Sequence, residues 1–214
     1  QGPLVKDKSS FLITGRRTYA DLFLKLSPNE LINNNQLYFY DLNTKLNYIL
    51  DDNNRLYISG YFGRDIFEFQ ERFGIDWGNR TGSVRWNHIW NEKLFSNLSV
   101  IYSDYSYKVN ILQDAGFSLK SIIDTWNIKQ DFQYYINNHN TLNFGVQVSF
   151  HKITPGQLEL SEDAEINPVK LQNRTANESA FFISNNWKPF QNLNIQYGMR
   201  FSMYHLTGAG DFYT

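Results

Sequence analysis

The sequence predicts an all-β chain folded as an antiparallel up-and-down meander, and three observations carry that expectation. Apolar residues recur at every second position, short polar turns alternate with longer connections, and the long segments lack the i, i+3, i+4 spacing of a helix. From Tyr38 the even positions read Tyr38, Tyr40, Leu42, Thr44, Leu46, Tyr48 and Leu50, interleaved with Asp41, Asn43, Lys45 and Asn47. Leu142, Phe144, Val146, Val148 and Phe150 alternate with Asn143, Gly145, Gln147, Ser149 and His151. Leu193, Ile195, Tyr197, Met199, Phe201 and Met203 alternate in the same way with Asn194, Gln196, Gly198, Arg200 and Ser202.

The other elements follow with weaker patterns. Segment 8–19 reads as a strand through Phe11, Ile13 and Tyr19, and 55–69, 97–109 and 175–188 read as extended. In 80–91 one face carries Val84, Trp86 and Trp90 with His88 among them. In 120–136 the even face carries Ile122, Trp126, Ile128, Phe132, Tyr134 and Ile136, interrupted by Asp124 and Gln130. Asp51-Asp52-Asn53-Asn54 is a tight polar turn, with similar ones around 91–97, 137–140 and 188–192. Longer irregular connections are expected at 20–35, 70–79, 110–118 and 156–172. Together these segments make about nine strands, joined by tight turns at one end and by loops at the other.

Composition narrows the class. The chain has 214 residues, 20 Lys and Arg against 21 Asp and Glu, and a net charge of −1, so nothing marks it for nucleic acid. Aromatics at 17% exclude a disordered chain, and the absence of Cys excludes disulfides, thiolate metal sites and a cysteine nucleophile. No run of 18 or more apolar residues is present, which excludes a transmembrane helix but not a transmembrane strand of about 9–11 residues. The start at Gln1-Gly2-Pro3 shows no signal peptide, so a leader was removed or the chain is an internal piece.

A meander with short turns at one end and longer loops at the other is the layout of an outer-membrane barrel. Aromatics flank the turns: Tyr48 and Tyr57, Trp90 and Phe95, Trp187 and Phe190. One level of rings is expected to form an interfacial girdle, although β propensity alone places Tyr and Trp in strands. The strands exceed the roughly ten residues a bilayer needs, as in large transporters. The expected fold is therefore part of a large transmembrane outer-membrane β-barrel in contact with the lipid bilayer.

The opening stretch Gly2-Pro3-Leu4-Val5-Lys6-Asp7-Lys8-Ser9-Ser10-Phe11-Leu12-Ile13-Thr14-Gly15-Arg16-Arg17-Thr18-Tyr19 resembles an early barrel segment of TonB-dependent receptors of Bacteroidetes. It is closest to the SusC-like branch with a carboxypeptidase-regulatory-like domain. Leu56–Asp65 and Asn194–Ser202 resemble later barrel strands of the same receptors. The resemblance spans 1–214 and implies a partial barrel, about 9 of a likely 22 or so strands, without plug, TonB-contacting segment or remaining strands. It further implies import of an oligosaccharide, peptide or metal chelate, the TonB complex as partner through a plug, and a SusD-like surface lipoprotein. A receptor-like scaffold in an outer-membrane assembly and a small self-contained barrel are the alternatives.

No catalytic constellation is visible: G-x-S-x-G, H-E-x-x-H and the P-loop pattern are missing, and the expectation is a protein that is not an enzyme and holds no cofactor. The four His, at 88, 139, 151 and 205, lack metal-ligand spacing. Gln147 and His151 share a polar strand face, and Lys129 and Asp131 share another, as do Asp41 and Lys45. Gln147, His151, Lys129 and Asp131 are the candidate ligand-binding residues in a barrel lumen, against the plainer reading of hydrated side chains and cross-strand pairs worth a few tenths of a kcal/mol. Glu159, Glu162, Asp163 and Glu165 form an acidic run in the longest loop, where solvation is the usual role of such charges.

Overall fold

A computed structural model describes residues 1–70, 72–111, 117–160 and 171–207. They form one sheet of ten antiparallel strands, each hydrogen-bonded to its neighbours in sequence. The strands are β1 (Gly2–Val5), β2 (Ser9–Arg17), β3 (Gln36–Asp51), β4 (Asn54–Phe69), β5 (Phe73–Asn91), β6 (Leu94–Ile111), β7 (Phe117–Asn137), β8 (Asn140–Leu160), β9 (Arg174–Phe190) and β10 (Leu193–Thr207). The segments expected as strands lie on β2 to β10; β1 is additional, because Gly2-Pro3-Leu4-Val5 offers too short an alternation to read.

The tight turns form as expected, and their chemistry is local. Asp51 accepts the Asn53 N–H at 2.9 Å and the Asn54 side-chain amide at 2.8 Å. Asn91 Oδ1 accepts the N–H groups of Lys93 and Leu94, and Asn137 Oδ1 accepts that of His139. Each side chain replaces a backbone partner that the reversal removes. The Asn54 amide first, then the Asn53 N–H, holds the Asp51 carboxyl below the ordinary aspartate value.

The other end departs from expectation. The connection placed at 70–79 shrinks to 70–72, since β5 already begins at Phe73. Gln70 turns the chain with φ 49°. The 20–35 connection holds two short helices, α1 (Ala20–Lys25) and α2 (Glu30–Asn33), the second capped by Asn29. β8 continues to Leu160 and β9 starts at Arg174, so the loop expected from 156 begins later. The acidic residues Glu162, Asp163 and Glu165 lie outside the described residues, as does Gly208-Ala-Gly210.

The two faces of the sheet differ in crowding and in chemistry. Ala176, Ala180 and Ser149 are 1%, 2% and 4% exposed on one face, while Trp126, Phe150 and Phe181 on the other are 51%, 46% and 59% exposed. Small buried residues on one side and large exposed ones on the other mean that the sheet curves around the first, the inner face. Ala176 and Ala180 are the only buried apolar residues among those described, so the described residues form no apolar core of their own. The outer face carries continuous apolar rows: Leu46, Ile58, Val84, Val100, Ile128 and Val148 stand directly opposite one another across six strands. The matching inner row reads Lys45, Ser59, Ser83, Ile101, Asn127, Ser149 and Glu178. Hydrogen bonds cross it from Ser59 to Ser83 at 2.8 Å and from Asn127 to Ser149 at 2.7 Å.

Toward the tight turns the outer face gathers Tyr48, Trp86, Trp90, Tyr134, Trp187 and Phe190. His88 packs edge-on against Trp90 at 4.5 Å, and Asn54 Oδ1 accepts the Trp86 indole N–H. Tyr57 and Phe95, expected in the same ring, sit on the inner face. Tyr57 stands opposite Asn47 and Arg85, and Phe95 packs against Tyr135. Turn proximity gave their level but not their side, because facing depends on parity along the strand.

Toward the loops the polarity of the faces inverts. Above the outer row Tyr102, Trp126 and Phe150 comes the row Arg80, Asp104, Asp124 and Lys152. At and beyond that level the apolar residues move inward, as in the inner row Phe67, Ile75, Val109 and Leu119.

Two glycines test this packing. A Cβ on Gly145 would fall on the Gln130 carbonyl oxygen and within 2.6 Å of the Phe182 ring, whereas one on Gly82 meets nothing within 4 Å. Gly145→Val is expected to destabilise the fold by about 1–3 kcal/mol, and Gly82→Val to leave it unchanged or slightly stabler through its β propensity; denaturant titration of both variants checks this. Asn54→Ala is expected to raise the Asp51 titration midpoint toward the ordinary aspartate value, read by the Asp51 carboxyl chemical shift.

Candidate functional site

The inner face brings three of the four candidate residues together. Cross-strand pairing aligns Ser99, Lys129, Gln147 and Ala180 in one row and Asn97, Asp131, Gly145, Phe182 and Arg200 in the next. Lys129 Nζ lies 2.8 Å from Asp131 Oδ1, and the Arg200 guanidinium donates to Gln147 Oε1 at 3.2 Å. The Phe182 ring sits beneath both cations, 5.2 Å from the Lys129 ammonium and 5.8 Å from the Arg200 carbon. Gly145 makes room for that ring, whose edge occupies the space a side chain there would take.

His151 is not part of the cluster. It lies two inner-face positions farther along β8 from Gln147, opposite Thr125, and its Nδ1 hydrogen-bonds the Thr125 hydroxyl at 3.0 Å. Asp41 pairs with Arg16 across β2 and β3 rather than with Lys45. Among the described residues no group of three His, Asp or Glu is placed to hold a metal ion. His139 lies in its turn beside the Lys188 carbonyl, and His205 lies within β10.

Sequence reasoning missed Arg85, Phe182 and Arg200. Arg85 stands opposite Ser99, two strands from Lys129, and donates to the Ser99 hydroxyl at 3.3 Å. All three occupy inner-face positions of their strands; the alternation indicates this for Arg85 and Arg200, whereas the facing of 175–188, with Phe181 and Phe182 side by side, is not readable from the sequence. Their proximity to Lys129 depends on cross-strand register, which one strand's sequence does not encode. The patch presents three cations, one carboxylate and an amide around an aromatic face. It can hydrogen-bond hydroxyls, attract an anionic group and stack a flat ring, but it contains no nucleophile paired with a base.

Comparison with known proteins agrees with this geometry. No protein-family profile and no curated protein matches the chain. Among solved structures it is similar to BauA, the ferric preacinetobactin receptor of Acinetobacter baumannii, with a TM-score of 0.64 at 11% identity over 85% of this chain. The chain spans 36% of that receptor. The β domain of the Bordetella autotransporter BrkA superposes at a TM-score of 0.47 and 10% identity, over 93% of this chain and 79% of that one. The fold is that of an outer-membrane β-barrel wall, an antiparallel meander in which, among the described residues, β1 and β10 do not pair with each other.

The shared ring of Phe182 gives the cluster a measurable signature. In a double-mutant cycle, Lys129→Met and Phe182→Leu are expected to show a coupling of about 0.5–1 kcal/mol in unfolding free energy. A coupling of zero would mean that the cation and the ring are merely adjacent.

Proposed function

We propose that the chain is a stretch of the wall of a larger outer-membrane receptor of the TonB-dependent kind, a non-enzymatic importer seated in the lipid bilayer. The observation that carries this reading is a two-faced sheet with no apolar core of its own and with free edges on β1 and β10. A continuous apolar outer face wants an apolar medium, and in that medium each unpaired edge group costs several kcal/mol. More strands are therefore needed to close the sheet. The superposition on about a third of a large receptor supports the same conclusion.

The finer reading is a SusC-like receptor of the Bacteroidetes branch, supported by the opening stretch Gly2–Tyr19. A plug would then gate the lumen under TonB, and a SusD-like lipoprotein would cover the loops. The inner patch around Phe182 suits a solute with hydroxyl or anionic groups and a flat apolar face, which includes oligosaccharides, peptides and metal chelates. Aromatic and cationic groups at that wall would slow such a solute without trapping it.

The test is the denatured mass of the native polypeptide in an outer-membrane fraction, detected with antibody to 171–207. A mass several times 25.2 kDa is expected, and one near 25.2 kDa would overturn the reading. Val100→Arg, in the central outer row, is expected to destabilise the folded barrel by about 2–4 kcal/mol in lipid, and Thr81→Arg on the inner face by far less. Urea titration in lipid vesicles measures both.

A further inference from the structure

Toward the tight turns the inner face holds a band of uncompensated positive charge. Two neighbouring cross-strand rows make it up, one with Arg85 and Lys129, the next with Arg55, Asp131 and Arg200. From β4 to β10 these rows thus carry four cations against one carboxylate, and Lys129 already engages that carboxylate at 2.8 Å. Arg55, Arg85 and Arg200 make no ion pair with a described residue. The adjoining inner row toward the loops is balanced, with Lys45 at one end and Glu178 at the other.

Three neutral side chains between the cations have used their acceptors and kept their donors. Gln147 Oε1 accepts from the Arg200 guanidinium at 3.2 Å, and Asn97 Oδ1 accepts from the Asn87 amide at 3.0 Å. The Ser99 hydroxyl oxygen accepts from Arg85 Nε at 3.3 Å. What remains is the amide NH2 of Gln147 and of Asn97 and the O–H of Ser99, beside guanidinium and ammonium groups that have no acceptor at all. A surface of donors complements a solute rich in acceptors, and its free charges are best matched by negative oxygens.

Spacing narrows the solute further. Arg85 and Lys129 stand two strands apart, which is about 10 Å at roughly 4.8 Å per strand. Arg55 lies on the strand before Arg85. A small anion meets one such head at a time, whereas a chain with carboxylates at that interval meets several. An extended peptide is a poor match, because it brings as many N–H donors as carbonyl acceptors and the band has few acceptors to receive them. A carboxylated oligosaccharide brings ring, hydroxyl and carboxylate oxygens along its whole length.

We propose that this band selects an anionic oligosaccharide. Carboxylates on alternate sugars meet Arg85 and Lys129, and the oxygens between them meet Asn97 and Ser99. The Phe182 ring, shared by Lys129 and Arg200, keeps the next cation within reach of the same chain. The inference rests on the reading of this sheet as the wall of an outer-membrane importer and names the class of its solute.

The test uses the full-length protein, purified from its outer membrane and first shown to migrate as a heat-modifiable barrel. Calorimetry measures binding of three probes: a hyaluronan tetrasaccharide, which carries its carboxylates on alternate sugars, neutral chitotetraose, and tetraglutamate. Wild type is expected to bind the acidic tetrasaccharide at least about 10-fold more tightly than chitotetraose, with an affinity that falls as salt is raised. Arg85→Gln is expected to weaken that binding about 10-fold, the loss of a hydrogen bond to a charged group, and Lys45→Gln, in the balanced row, by less than about 2-fold. The proposal is overturned if the acidic tetrasaccharide does not bind, if chitotetraose or tetraglutamate binds as tightly, or if Arg85→Gln stays within about 2-fold of wild type. It is equally overturned if phenylglyoxal fails to label Arg55 and Arg85 in the unliganded protein, since protein would then cover the band. Loss of heat-modifiable migration in wild type would instead count against the barrel reading, so the two failures are distinguishable.

Discussion

Everything in this sheet depends on an unbroken register. Successive side chains point to opposite faces, so a slip by one residue in any strand would carry its apolar set to the wrong side. Most of the irregularities that could cause a slip are confined to the turns. The pairing shifts at 49–51, 89–91, 135–137 and 193–195 all lie beside a reversal, where an extra residue is absorbed before the long pairing begins. Between β3 and β7 the ladder then runs without interruption, and the row from Leu46 to Ile128 stays on one side. The Asx contacts of Asp51, Asn91 and Asn137 hold the turns that set this parity.

The register also explains how the described residues can be ordered without an apolar core among them. A soluble domain buries one sheet face against a second layer, and here the described residues supply none: α1 and α2 are short, α1 lies against β3 and α2 against α1. What remains is the hydrogen-bond ladder, the cross-strand contacts on each face and whatever medium covers the outer rows. On the inner face the small residues Ser99, Ser149 and Ala180 let the sheet curve without crowding. On the outer face the large residues are spread apart by the same curvature and are left exposed. Curvature and composition are thus the same fact seen from two sides.

The meander was legible in the sequence because period two is strong in β3, β8 and β10, where the apolar parity holds along most of the strand. The turns were legible from Asp and Asn at their first positions. Side-of-sheet was not legible where parity had to be counted across a turn, as Tyr57 and Phe95 show. The cluster around Phe182 was half legible. Lys129, Asp131 and Gln147 stood out as polar-face residues of neighbouring strands, whereas Arg200 and Phe182 joined them only through the register of β8 with β9 and of β9 with β10. His151 stood out for the same reason as Gln147, and it is separated from the cluster by its distance along β8.

The misread stretch 73–79 is the most instructive, because its pattern is regular but opposite. Below the charged row, β5 places Val84, Trp86 and Trp90 outward; above it, the apolar residues are Phe73, Ile75 and Trp77, all facing inward. No bulge separates the two halves, so the strand itself has not changed and the surroundings of its faces have. β4 and β6 invert near the same level, with Phe67 and Phe69 in one and Tyr105, Tyr107 and Val109 in the other. A sequence scored for one continuous parity sees Gly74, Asp76 and Gly78 there and reads a loop. Three adjacent strands that exchange their wet and dry sides together, with Arg80, Asp104 and Asp124 at the crossing, describe a boundary between two solvents. Below it Val84, Val100 and Ile128 carry the apolar side chains on the outer face, and above it Ile75, Trp77 and Val109 carry them on the inner one.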